Sequence, residues 1–155
     1  MYNVNSIQFG NSIKIDYEIS GEESTLRNVT SKDNMVHPDF TAATQPLFDM
    51  IIRFCEFDPA LKKRIAPKKV TFSESEKAGR CVKITFILRL ENSINGLQIT
   101  TPKYTEIVTD VNNQLAEQEL NALELLKDEA FNYAHGNKTA QVSLFEGNKD
   151  ENRTN

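Results

Sequence analysis

The sequence predicts an α+β domain: an antiparallel sheet of about six strands with two helices packed on one face, in the order βββαβββα. Three observations predict it. Residues 7–29 and 70–101 contain alternating apolar and polar positions, the mark of half-buried strands. Residues 38–54 and 113–134 instead place apolar residues three and four apart, which lines one face of a helix. After Gly136 both periodicities stop and the composition turns polar, which bounds a single domain at 1–135 and a flexible tail at 136–155.

Each element has its own local reason. Ile7 and Phe9 run into Gly10-Asn11, where glycine supplies the positive φ of a tight hairpin turn. Ile13, Ile15, Tyr17 and Ile19 then alternate with Lys14, Asp16 and Glu18, and a weaker strand follows a turn at Gly21-Glu22-Glu23, over Thr25 to Val29. Pro38 and Asp39 suit a helix start, because the missing proline N–H would be unpaired there and an acid favours the positive end of the dipole. Phe40, Ala43, Leu47, Met50, Ile51 and Phe54 form the apolar face, with Pro46 expected to kink it and Asp58-Pro59 to end it. A short turn is expected over Ala60 to Arg64.

The second half starts a strand at Val70 and Phe72, with Ser73 to Gly79 as a polar turn. Val82, Ile84, Phe86, Leu88 and Leu90 alternate with Cys81, Lys83, Thr85, Ile87 and Arg89, the clearest strand in the chain. Leu97 to Thr101 makes a short strand that stops at Pro102. The last helix, from about Asn113 to Ala134, buries Leu120, Leu123, Leu126, Ala130 and Tyr133 and ends at His135-Gly136.

Composition narrows the function classes. With 155 residues, 39% of them hydrophobic, the chain can build a core without disulfides or metal. Its apolar runs are broken by charges, so no membrane partner is expected, and the first ten residues lack the basic start and apolar core of an export signal. Cys55 and Cys81 have no metal-ligand spacing and suit a reducing cytoplasm as small buried hydrophobes. His37 and His135 have no second ligand at metal spacing, and a loop or cap and a helix end explain them. No phosphate loop, nucleophile elbow or paired-acid motif is present, so neither catalysis nor a cofactor is expected.

The net charge of −4 is the remainder of opposed blocks: +5 over residues 53–91 and −6 over residues 106–135. The basic density peaks at Lys62, Lys63, Arg64, Lys68 and Lys69, around Pro67. Such a cluster can contact DNA phosphates. A solvated loop neutralised by the acidic last helix is the competing expectation, favoured by a pI of about 5.3 and by the lack of interleaved aromatics.

One segment stands apart. Gln141, Val142, Ser143, Leu144 and Phe145 form an apolar island in the polar tail. It resembles the pentapeptide, approximately Gln-Leu-Ser/Asp-Leu-Phe, with which bacterial replication and repair proteins bind the DNA polymerase sliding clamp; Val142 is the departure. Folding back as an edge strand or plug is the structural alternative. Thr30-Ser31-Lys32-Asp33 followed by His37-Pro38-Asp39-Phe40, with Ala43 and Leu47 beyond, resembles small phage-encoded proteins that end in a similar segment after a final helix. The resemblance implies a phage or prophage origin among replication or recombination genes, and it brings no catalytic residues with it. The expected protein is therefore a non-enzymatic phage accessory protein in the bacterial cytoplasm that docks on the host sliding clamp. DNA binding through residues 62–69 and inhibition of a host defence protein are the alternatives. Exposed sheet edges also allow a homodimer.

Overall fold

A computed structural model of the chain describes residues 2–10, 12–20, 25–29, 38–108 and 113–134. The chain builds β1 (Tyr2–Gln8), β2 (Ile13–Ile19) and β3 (Thr25–Val29), then α1 (Pro38–Thr44), α2 (Pro46–Cys55) and a 3-10 turn at Pro59–Arg64. β4 (Ile65–Ser75), β5 (Gly79–Arg89), β6 (Gly96–Thr100), β7 (Tyr104–Thr105) and α3 (Glu117–Ala134) follow. The strands form one antiparallel sheet in the order β3-β2-β1-β4-β5-β6, with β7 beside β5. Two meanders thus meet where β1 pairs with β4, through Ser6–Thr71, Ile7–Val70 and Gln8–Lys69.

The α+β class and the helices on one face are as the periodicities predict. Ile13, Ile15 and Tyr17 of β2 and Val82, Ile84 and Phe86 of β5 are buried beneath α3 and α2. Phe40, Ala43, Leu47, Met50, Ile51 and Phe54 are all buried, as their spacing predicts. Pro46 does more than kink it. Its missing N–H divides the segment into two helices, with Pro46 opening the second. α2 ends at Glu56, whose left-handed φ of 54° lets its N–H and that of Phe57 reach back to the Arg53 and Ile52 carbonyls.

Five details differ from expectation. β4 begins at Ile65 and runs to Ser75, so Lys68 and Lys69 lie in a strand and not in a loop. The polar turn shortens to Glu76–Ala78, and Gly79 closes it at φ +70°, where a Cβ would sit 2.7 Å from Glu106 Oε1. β7 forms after Pro102, and α3 starts at Glu117 rather than Asn113. Leu90 falls beyond the end of β5 and is 36% exposed.

Two β-bulges break the simple alternation of β1 and β4. Register shifts between Val4 and Ser6, and again between Pro67 and Lys69. Each extra residue inverts the side-chain parity, so Val4 and Ile7 both face the core, as do Ile65 and Val70. The second bulge also accommodates a proline inside a central strand.

A polar clamp joins α2 to α3. Arg53 Nε donates to Glu119 Oε2 at 2.8 Å, and its Nη2 donates to Glu119 Oε1 at 2.5 Å and to the Gln114 carbonyl at 3.0 Å. Glu119 Oε1 also accepts the Ala116 N–H at 2.8 Å, the reach-back half of a capping box. The guanidinium sits about 5 Å above the stacked rings of Phe54 and Tyr104. Arg53→Ala strands a carboxylate that is 10% exposed while the lost guanidinium was 46% exposed. We therefore expect a loss of about 2 kcal/mol, below that of a fully buried pair. Glu119→Gln, which keeps an acceptor for Ala116, is expected to cost about half as much. Urea unfolding of the two variants checks both values.

Candidate nucleic-acid interface

The sheet face turned away from the helices is where the sequence-predicted basic residues divide. Alternation along β2 puts Lys14 on that face, opposite the buried Ile13 and Ile15. Alternation along β5 puts Lys83 and Arg89 there. The Pro67–Lys69 bulge adds both Lys68 and Lys69, since Lys68 Nζ donates at 3.2 Å to Gln98 Oε1, whose strand partner Ile87 lies on the same outer face. Register then brings the cations together. Lys14 pairs with Gln8, Gln8 with Lys69, and Lys69 with Thr85, so Lys14 and Lys69 stand two strands apart, about 10 Å. Lys14 and Lys68 also line one hollow of about 300 Å³ beside the β1–β2 turn.

None of Lys14, Lys68, Lys69, Lys83 and Arg89 is ion-paired among the described residues. The rest of the predicted cluster goes elsewhere. Lys62 pairs with Asp49 at 2.8 Å, and Lys62 and Lys63 line a groove with Phe48 and Pro59 over α2. Arg64 lies at the rim of the sheet, donating to the Arg89 carbonyl at 2.9 Å and facing Glu91 at 3.7 Å.

The acidic helix does not neutralise this face, contrary to one expectation. α3 packs on the opposite side of the sheet. Its carboxylates engage Arg53 through Glu119 and Arg80 through Glu124, at 3.5 Å for the latter. Charge is thus separated by the thickness of the sheet, with acids over the helices and cations on the open strands. The outer face carries threonine and glutamine at Thr71, Thr85, Gln98 and Thr100 between its cations, with acids at Asp16 and Glu18 on β2. It presents no aromatic ring for base stacking among the described side chains.

Lys14, Lys83 and Arg89 were missed as site residues because they are isolated in sequence. Their signal was present as the charged parity of two well-read strands. What the sequence lacked was the neighbour relation that sets β1 between β2 and β4.

A second concave region of about 760 Å³ opens where β1 and β4 splay apart under α3. Its polar groups are largely engaged with one another. Arg80 donates to Glu106 Oε2 at 2.9 Å, and Lys127 meets Glu124 at 2.6 Å. The Tyr2 hydroxyl donates to Asp128; burial first, and this hydrogen bond second, raise its pKa above the ordinary phenol value. Tyr2 therefore enters as a protonated donor. Burial also pushes the Cys55 thiol up, away from the thiolate form. Among the described residues no group of three His, Cys, Asp or Glu side chains is placed to hold a metal ion. No helix there is long and apolar enough to cross a membrane. Gln141, Val142, Ser143, Leu144 and Phe145, with His37 and His135, lie outside the described residues. Comparison with protein families, curated proteins and solved structures finds no match to this chain.

Glu106 gives the region a pH signature. Its side-chain bonds to Arg80 first, and the Arg80 N–H second, hold its pKa at about 2, against an ordinary 4.5. A depressed carboxylate contributes stability that is present above its unfolded pKa and lost as pH falls through the folded value. Stability is therefore expected to fall between pH 4.5 and pH 2 through this pair. Glu106→Gln should flatten that part of the curve and lower stability at neutral pH; chemical unfolding across the pH series checks both effects.

Proposed function

We propose that the chain is a non-catalytic accessory protein of phage DNA replication or recombination, acting in the bacterial cytoplasm. In this reading it lays the basic outer face of its sheet on nucleic acid and docks on the host sliding clamp through its tail. The observation that carries the nucleic-acid half is the convergence of Lys14, Lys68, Lys69, Lys83 and Arg89 on one open face, none of them ion-paired among the described residues. The ligand chemistry follows from what stands between them. Lysines among threonines and a glutamine offer charge and hydrogen bonds to phosphates, with no ring to stack on an unpaired base. Duplex DNA, bound without sequence preference, is the ligand this surface suits.

The clamp half is supported by the Gln141–Phe145 pattern. Six residues separate it from the end of α3 at Ala134, so it lies within about 20 Å of extended chain from the domain. Leu144 and Phe145 are the anchors. Each contributes roughly 1.5–3 kcal/mol on burial, before the cost of ordering the peptide, which makes for an exchangeable contact.

Duplex DNA binding followed by fluorescence anisotropy should weaken linearly on a log–log plot against salt. Replacing Lys68 and Lys69 by Ala is expected to reduce the slope by about 2 and to weaken binding equally for unrelated sequences. No binding at low salt, or an unchanged slope, overturns the nucleic-acid half. In a separate titration with purified clamp, Leu144→Ala/Phe145→Ala should abolish binding while leaving DNA affinity unchanged. Equal clamp signals from both proteins, or none from either, remove the clamp half.

A further inference from the structure

We propose that β6 pairs in antiparallel fashion with β6 of a second copy of this chain, joining two sheets into one with a continuous basic face. Among the described residues no strand pairs with the outer edge of β6, and that edge is unusual for this molecule. Residues 92–102 contain no charged side chain in a chain that is 26% charged. Solitary edge strands are ordinarily guarded by lysine, proline or a bulge, and β6 has none of these. Its neighbourhood is also apolar and solvent-facing: Leu97 is 50% exposed, and Ile94 in the preceding turn is fully exposed.

The backbone supplies a self-complementary register. The Thr101 N–H donates to the Ile84 carbonyl at 2.8 Å on the β5 side. Backbone groups alternate sides along a strand, so Ile99 and Leu97 face β5, while Gly96, Gln98 and Thr100 present theirs to the free edge. A two-fold axis at Gln98 pairs Gln98 with its own copy and Gly96 with Thr100 of the other, satisfying the outward groups of all three. Leu97 then lies directly across from Ile99 of the other copy. Both are on the helix side of the sheet, opposite Leu88 and Phe86. The pair removes an exposed leucine from water and covers an isoleucine that is only half-buried.

The same axis has a consequence for the outer face, which rests on the nucleic-acid function proposed above. Lys68 touches Gln98 and so lies beside the axis in both copies. From β2 of one copy to β2 of the other, ten strands span about 43 Å, the length of roughly 13 base pairs of duplex. Two copies therefore present one track of cations on the same side.

Sedimentation equilibrium of the full chain, from micromolar to hundreds of micromolar and without DNA or clamp, tests the dimer by itself. Wild type is expected to dimerise reversibly. Leu97→Arg puts a guarding charge on the edge, and Gln98→Pro deletes an outward N–H without touching the β5 ladder. Each is expected to raise the dissociation constant by about tenfold or more with unchanged circular dichroism. A wild type that stays monomeric throughout overturns the proposal, and so does a dimer that persists in both variants. A monomer that dimerises only after Leu144→Ala/Phe145→Ala overturns it too, by assigning the edge to the chain's own tail. Loss of DNA binding in the anisotropy titration leaves the dimer standing, so the two failures are separable.

Discussion

Arg53 and Glu119 form the contact on which the arrangement of the helices depends. A sheet with one buried face needs its helices fixed in angle as well as pressed down by apolar contact. Apolar contact between the faces of α2 and α3 is by itself non-directional. The bidentate pair removes that freedom because its geometry is directional. It also fixes the beginning of α3, since Glu119 holds the Ala116 N–H, and it seats β7, since Tyr104 stacks on Phe54 beneath the guanidinium. One side chain from the basic middle of the chain and one from the acidic end thus organise the loop, the last helix and the extra strand together.

The remaining charges are sorted by the same layering. Helices on one side of the sheet receive the acids of α3, where Arg53 and Arg80 answer Glu119 and Glu124. The lysines of β2, β4 and β5 are left on the other side, separated from those acids by a packed core of Ile7, Ile15, Val70 and Ile84, all fully buried. A chain of net charge −4 can in this way carry a locally cationic surface. Overall pI describes the average and misses the field at a face. The proposed nucleic-acid binding by an acidic protein needs this separation, and the fold supplies it without any basic helix.

The proposed roles of the tail, the basic face and the sheet edge fit one scheme. A peptide that holds a ring-shaped clamp keeps a protein at DNA without gripping it tightly, and a flat face of lysines holds duplex without choosing sequence. The proposed pairing through β6 lengthens that face and leaves the helices of each copy on the other side of the sheet. Weak contacts of this kind gain strength by being used together, because each engaged contact raises the effective concentration of the next.

Local pattern alone determined a good deal. β2, β5, the face shared by α1 and α2, and the buried side of α3 are read from period two or from spacings of three and four. Each burial choice there depends on one segment's own amphipathicity. Pro38 was legible as a start and Pro46 as a kink, because proline acts on its own backbone; that Pro46 separates two helices was not. The tertiary structure alone decided the rest. Bulges at Val4–Ser6 and Pro67–Lys69 invert parity where the partner strand demands it, which hid the beginning of β4 and placed Lys68 and Lys69 on a face instead of in a loop. The pairing of β1 with β4 joins segments some sixty residues apart, and that neighbour relation brings Lys14 beside Lys69. Periodicity tells a residue which way to face, whereas the hydrogen bonds between distant strands decide what stands next to it.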